Sequence, residues 1–369
     1  MAMKNRLAKL YHSRKFYFVL AALVIVALLP LVIGRDYIIS EVLTPIIIFA
    51  IYASSWNLLA YSGQGSLGHA AFLGIGGFVS ALIARSSGFP PLAALLVGSL
   101  FSALIGFFIG LTCVRLKAWF LAMVTFGFSV IIGTLFSQFD AVTQAVQGFP
   151  TPLIAPRGLP FFYMSFAIAA VSILSIYLVM KSKMGLAFKA IRENELEAKM
   201  IGINTAKYRL LAFVLSTFFA GLAGGLYAQS IRYIQLEIFS PYHSFQPLMM
   251  SVIGGLSTIE GPIMGSAIIV LIDSYLYGVD PFLQTSLGPL FPAVSNVGPY
   301  LRYLGIGLFL IVVVIFAPRG VTSFFHRLYN FIRTRLKGTT PEPRKEPKPS
   351  LTTRMRSFIR RQFRGAKPK

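Results

Sequence analysis

Apolar runs long enough to cross a bilayer recur along this 369-residue chain, and no other feature limits its fold so tightly. About 20 residues of helix span ~30 Å of hydrocarbon, and inside lipid the backbone must satisfy its own polar groups. Such runs fall near 16–33, 37–60, 66–84, 90–114, 118–138, 161–180, 209–230, 245–257, 262–277 and 299–317. With 56% hydrophobic and 12% charged residues, the expected class is an all-α polytopic membrane protein of about 8–10 transmembrane helices with glycine-broken short segments. The run 16–33 follows Lys4, Arg6, Lys9, Arg14 and Lys15 and so has the outline of a signal peptide. The stretch Pro30 to Arg35 offers no small-residue cleavage site, however, and further spans follow. It is therefore read as an additional N-terminal transmembrane helix.

Charge orients the spans. Ten crossings put both termini on one side, and that side then holds 29 of the 34 Lys and Arg residues: 5 before residue 16, 2 at Arg115 and Lys117, 7 from 181 to 209, and 15 from 319 onward. The other side or the membrane margin receives Arg35, Arg85, Arg157, Arg232 and Arg302. By the positive-inside rule, both termini and the 181–209 loop are expected to be cytoplasmic.

That loop places seven Lys/Arg and three Glu in 29 residues between apolar segments. Ala187, Ile191, Asn194, Ala198 and Ile201 recur at i, i+4, i+7, i+11 and i+14, the stripe of one helix, with charged side chains around the rest of its surface. Gly202 is expected to end it, because glycine takes the left-handed C′ conformation without steric cost. Such a loop is either a solvated basic connection or a docking element.

Two short segments are unusually rich in glycine. Gly63 to Phe78 reads GQGSLGHAAFLGIGGF, and Met249 to Ala267 reads MMSVIGGLSTIEGPIMGSA. Irregular backbone is tolerated at membrane depth where protein or a water-filled cavity covers it, and paired broken segments in a transporter point to the substrate pathway. Gln64, Ser66, His69, Gly254 and Gly255 are the candidate pathway residues on this reading. The alternative is close helix packing through small residues, with His69 in a purely structural hydrogen bond.

Other chemistries find no sequence support. No phosphate-binding loop of the form G-x-x-x-x-G-K-[ST] occurs, so energy from ATP would have to come from partners. Neither a metal-ligand spacing nor a nucleophile elbow is present, and no catalytic residue, metal or cofactor is assigned. The single cysteine, Cys113, closes an apolar run and reads as a buried thiol. The charge of +22 resides in the flanks of spans, which argues against nucleic-acid binding. An ion-coupled secondary transporter would need membrane-embedded acids or histidines, for which Glu41, Glu260, Asp273 and His69 are the candidates. A non-transporting scaffold would have little use for the broken segments.

Four ordered stretches carry a family resemblance: Gly63 to Phe78, Phe188 to Ala228, Gly254 to Gly265 and FAPRG at Phe316 to Gly320. Together they resemble the LivM-type permease subunit of branched-chain amino acid ABC transporters over roughly residues 36–321. The SLGHAAF wording and the additional first helix separate it from the LivH-type sister permease. The resemblance implies an importer working by alternating access at a permease–permease interface, with Arg192, Glu193, Asn194 and Gly202 in the loop that couples to the ATPase. Implied partners are a LivH-type permease, two cytoplasmic ABC ATPase subunits and a periplasmic or lipid-anchored substrate-binding protein, in a bacterial inner membrane. The urea-transporting branch shares much of the pattern, so leucine, isoleucine and valine stand beside urea as substrates. Glu260 departs from the aromatic or aliphatic residue common at its position. The implied organisation is a basic N-terminus 1–15, the additional helix 16–33, a permease domain 34–321 containing the 181–209 loop, and a basic tail 322–369. In the tail, Pro- and charge-rich sequence precedes Leu351 to Arg364, which either stays disordered or lies as an amphipathic helix on anionic lipid.

Overall fold

The computed structural model describes residues 26–32, 34–86, 88–116, 118–287, 298–316 and 320–322. The N-terminus 1–15, the start of the additional helix and residues 323–369 of the tail lie outside the described residues. Residues 26–32 are helical, and Tyr163 donates a hydrogen bond to the Ala27 carbonyl at 3.1 Å.

Six helices among the described residues are long and apolar enough to cross a membrane: α1 (Asp36–Tyr61), α2 (His69–Ser86), α3 (Pro91–Cys113), α4 (Trp119–Gln138), α5 (Leu159–Lys181) and α8 (Thr205–Ile231). Between α5 and α8 lie two short polar helices, α6 (Lys183–Glu193) and α7 (Glu195–Met200). A shorter α9 (Pro241–Gly254), a long α10 (Glu260–Leu287) and α11 (Gly298–Phe316) follow. Proline opens α3, α5 and α9, where its missing N–H costs nothing and its φ suits the first turn. Near its start α1 carries a π-helical stretch, Ile39–Leu43, and Thr44 donates to the Ile39 carbonyl at 2.8 Å.

Side-chain contacts fix the direction of several helices. Glu41, early in α1, pairs with Arg157 just before α5, while Tyr61 at the other end of α1 lies beneath Arg192 of α6. α1 and α5 therefore run parallel towards the polar loop. α2 returns, and Arg85 near its end donates to Gln144 at 2.7 Å and covers the Phe149 ring. A two-residue antiparallel pairing, β1 (Phe149–Pro150) with β2 (Tyr233–Ile234), ties two connections together at that same far end. Arg85, Arg157 and Arg232 thus gather opposite the polar loop, whereas Leu116, beside Arg115, lies against it through Arg209.

Small residues and buried hydroxyls hold the bundle, as expected where lipid removes most of the hydrophobic drive between helices. α8 lies against α1, α2 and α3. A Cβ at Gly76 would collide with the Gly221 backbone, and one at Gly224 with the Leu73 carbonyl. Ser102 of α3 lies 3.0 Å from the Phe72 carbonyl of α2 and 2.9 Å from the Thr217 carbonyl of α8, within reach of both neighbours. Cys113 is buried at the end of α3. α4 and α5 turn Trp119, Phe120, Met123, Val171 and Leu174 outward, a surface fit for lipid or another membrane subunit.

Candidate functional site

Local capping shapes the polar loop. Ser182 caps α6 by accepting from Met184 N at 3.1 Å. Asn194 is extended, with φ −159°, and its side-chain oxygen accepts from Leu196 N at 3.0 Å and Glu197 N at 3.3 Å. Its side-chain amide donates to Glu197 Oε1 at 2.7 Å, while its backbone N–H closes α6 on the Ala190 carbonyl at 3.0 Å, so one residue ends α6 and caps α7. The single helix expected over Ala187 to Ile201 is therefore two. Asn194 opens a new helix, and the change of axis separates the stripe: Ala187, Ile191 and Ala198 are buried, while Ile201 faces out. Gly202 ends α7 as expected, at φ +83°, with Gly202 N bonded to Lys199 O and Ile203 N to Ala198 O in a Schellman motif. The tip is left apolar, with Leu196 72%, Met200 87% and Ile201 74% exposed.

Two ties join this loop to the bundle. The Arg192 guanidinium lies 5.2 Å from the Tyr61 ring centroid, and its Cα sits 3.1 Å from where a Cβ would stand on Gly63. Glu195 bonds Lys199 at 2.9 Å and Arg209 at 3.4 Å, and accepts from Thr205 at 3.3 Å. These contacts hold its carboxyl below the usual range: the Lys199 hydrogen bond is the largest cause, burial opposes it, and the charges of Arg209 and Lys199 with the Thr205 hydrogen bond add to the lowering. Arg209 donates to the Leu116 carbonyl at 2.8 Å, and its own carbonyl accepts from Gln64 at 3.0 Å. Glu193 makes an exposed pair with Lys189 at 3.8 Å.

The first glycine-rich segment leaves helical geometry between Ser62 and Gly68 and climbs back along α1. Trp56 Nε1 donates to the Ser66 carbonyl at 2.7 Å, Leu67 N donates to Thr125 Oγ1 at 3.2 Å, and Gly68 fits directly against the Thr125 carbonyl. At the head of α2, His69 is 0% exposed, with Nε2 at 3.3 Å from Ser55 Oγ and 3.2 Å from Ser216 Oγ. Each serine hydroxyl already donates at 2.7 Å, Ser55 to the Tyr52 carbonyl and Ser216 to the Ser55 carbonyl. Both can then only accept from the ring, so Nε2 carries the proton and Nδ1 is the bare acceptor. Nδ1 has no hydrogen-bond partner among the described residues.

The second segment turns at Gly255 to Ile259 between α9 and α10. Asn57 of α1 holds that turn from both sides, donating to the Thr258 carbonyl at 2.6 Å and accepting from Ser257 N at 2.7 Å. Gly254 packs on Gly261, Gly255 meets Gly320, and Thr322 donates to the Gly254 carbonyl at 2.7 Å. Gln64, Ser66 and His69 are thus neighbours in one buried polar strand of contacts, while Gly254 and Gly255 sit in another. Consecutive α1 residues, Ser55 and Trp56 on one side and Asn57 on the other, join the two. Trp56, Asn57 and Arg209 join the candidate site only in the folded structure; for Asn57 the signal in the sequence is a lone amide in an apolar run. Among the described residues, no group of three or more His, Cys, Asp or Glu could hold a metal ion.

Comparison with known proteins agrees with this architecture. The family model described as the permease component of the branched-chain amino acid transport system matches residues 38–316. The chain is 25% identical over 304 residues to the high-affinity branched-chain amino acid transport system permease protein LivM of Salmonella typhimurium, covering 74% of this chain and 71% of that one. It is 28% identical over 200 residues to a probable branched-chain amino acid transport permease protein LivH of Methanocaldococcus jannaschii, covering 51% and 57%. It is 26% identical over 208 residues to the autoinducer 2 import system permease protein LsrC of Yersinia pestis, covering 53% and 57%. No solved structure matches the chain.

Proposed function

Since this chain belongs to the family of branched-chain amino acid transport permease components, we propose that it is the LivM-type translocation subunit of an ATP-driven importer of leucine, isoleucine and valine. The observation that carries the reading is the polar loop: a capped helix pair with an apolar, outward-facing tip, tied to the bundle through Arg192 and Glu195. An exposed tip made of Leu196, Met200 and Ile201 suits a cleft on a partner protein, and a short helix anchored at its base can move as a lever. In this reading ATP binding closes two partner ATPase subunits, the loop follows them, and the interface with a LivH-type permease opens to the other side of the membrane. A substrate-binding protein delivers cargo at the far end, where Arg85, Arg157 and Arg232 lie.

The excess of Lys and Arg at the loop end supports placing it and both termini in the cytoplasm of a bacterium, with residues 34–321 as the translocating unit and 322–369 as a cytoplasmic tail. Gln64, Ser66, His69, Gly254 and Gly255 border the pathway in this proposal, and Arg192, Glu193, Asn194 and Gly202 shape the coupling loop. The relative named for autoinducer 2 import marks how far cargo varies among similar permeases, so urea is the second substrate to be assayed. Ion coupling through Glu41 finds no support, because that acid is engaged by Arg157.

The test is purification of the tagged chain from its native membrane in mild detergent, with partners identified by mass spectrometry and ATP hydrolysis measured with leucine, isoleucine, valine and urea plus the co-purified binding protein. Co-purifying ATPases with leucine-stimulated turnover support the proposal. Stimulation by urea alone replaces the substrate, and the absence of any ATPase removes the coupling role.

A further inference from the structure

Arg209 is 7% exposed, although guanidinium groups ordinarily seek water. Three elements converge on it. Its NH1 meets Glu195 of α7 at 3.4 Å, its NH2 donates to the Leu116 carbonyl in the turn between α3 and α4 at 2.8 Å, and its own carbonyl accepts from Gln64 at 3.0 Å. A planar fork can serve two acceptors in different directions at once, which a single ammonium cannot do with the same geometry. From Arg209 a buried stripe runs along α8 through Phe213 to Ser216, at i, i+4 and i+7. Phe213 meets Phe72 of α2 edge-on at 5.6 Å between centroids, and Ser216 meets His69. Seven residues of helix carry a displacement ~10 Å into the bundle without bending.

We propose that Arg209 is a positioning residue, the fulcrum through which movement of the α6–α7 loop reaches the broken segment Gly63–Gly68 and the His69 node. Glu195 pulls on one edge of the guanidinium, Leu116 fixes another, and Gln64 ties the extended segment to the same backbone unit. Rotation of α7 against α8 therefore shifts the entry to α2 together with the α3–α4 turn. This inference rests on the coupling-loop reading above.

The experiment uses the complete complex with its partner permease, ATPases and binding protein in proteoliposomes, and reads leucine imported per ATP hydrolysed. Arg209→Lys keeps the charge and loses the fork; Glu195→Gln keeps the shape and loses the pull, and its site is exposed enough to fold. Each is expected to lower transport per ATP at least tenfold while the amount of co-purified ATPase stays at the wild-type level. Lys207→Gln, which removes an exposed charge two residues away on α8, is the control and keeps the wild-type ratio. A merely structural role would reduce assembly and melting temperature and leave the ratio unchanged in what assembles, which overturns the proposal. If the wild-type complex itself shows no substrate-stimulated hydrolysis, the coupling reading fails first. If it is coupled and both variants retain its ratio, the fulcrum alone is refuted.

Discussion

Met200→Ala combined with Ile201→Ala strips the tip of the polar loop and separates docking from folding. The two side chains are 87% and 74% exposed, so the isolated permease loses little when they are truncated, about 0.5 kcal/mol or less. Docking is different. Burying a large apolar side chain fully contributes about 1.5–3 kcal/mol. With most of each surface still available for burial and a methyl left behind, the double variant is expected to forfeit ~2–4 kcal/mol of ATPase affinity, a weakening of ~30- to ~1000-fold in Kd. The assay immobilises the permease pair in nanodiscs and titrates purified ATPase by biolayer interferometry, with melting temperature recorded alongside. An affinity within threefold of wild type would refute the docking role of the tip, and a large fall in melting temperature would show that these side chains are packed within the permease.

Gly68→Ala drives a Cβ into the Thr125 carbonyl, backbone against backbone, and should cost ~1–3 kcal/mol or more in thermal stability; Gly127→Ala on α4, where nothing stands within 4 Å, should cost nothing. Equal melting temperatures would contradict the packing described at the head of α2. Gly202→Ala meets open space but φ +83°, so left-handed strain of ~1–2 kcal/mol is expected, with Gly202→Asn milder because Asn tolerates that region. Protease protection of the loop tests the ordering. Glu195 has a folded-state pKa below its unfolded value near 4.3. Its stabilisation is therefore present above that value and fades as pH falls through the folded pKa. Glu195→Gln should melt below wild type at pH 7 by no more than ~1 kcal/mol, since the pair is partly exposed, and the difference should close on acidification. A gap that widens in acid would reverse the assigned sign.

Periodicity made the spans legible. The run expected at 209–230 is longer in the structure, starting at Thr205, because Asn204 caps it by accepting from Lys207 N at 3.0 Å, and an apolar run leaves out the Lys207 that the cap places in the helix. Likewise the run expected at 262–277 belongs to a helix that starts at Glu260 and continues to Leu287. The glycine-rich wording announced both broken segments, and Gly202 announced its own left-handed turn. Asn194 differs from its expected place in the stripe: an amide fits an i+7 spacing as well as it fits an N-cap, and Asn-x-x-Glu to Glu197 is the local signature of the break. What no local pattern discloses is pairing across the chain. Asn57 grips residues 200 positions away, and Arg209 reaches back 93 positions to Leu116. Those contacts exist only once α1, α3, α8 and the α9–α10 turn are packed together, so the residues that wire the loop to the interior carry no local sequence signature.

The most direct measurement is uptake itself: the purified complex, containing this chain with the permease, ATPase and binding-protein partners proposed for it, reconstituted in proteoliposomes and supplied with radiolabelled leucine, with and without ATP on the loop side. Accumulation that requires ATP, persists when the proton gradient is dissipated, and is competed by isoleucine and valine is the expected result. Uptake driven by a proton gradient without ATP, or transport of urea with no leucine entry, would contradict it.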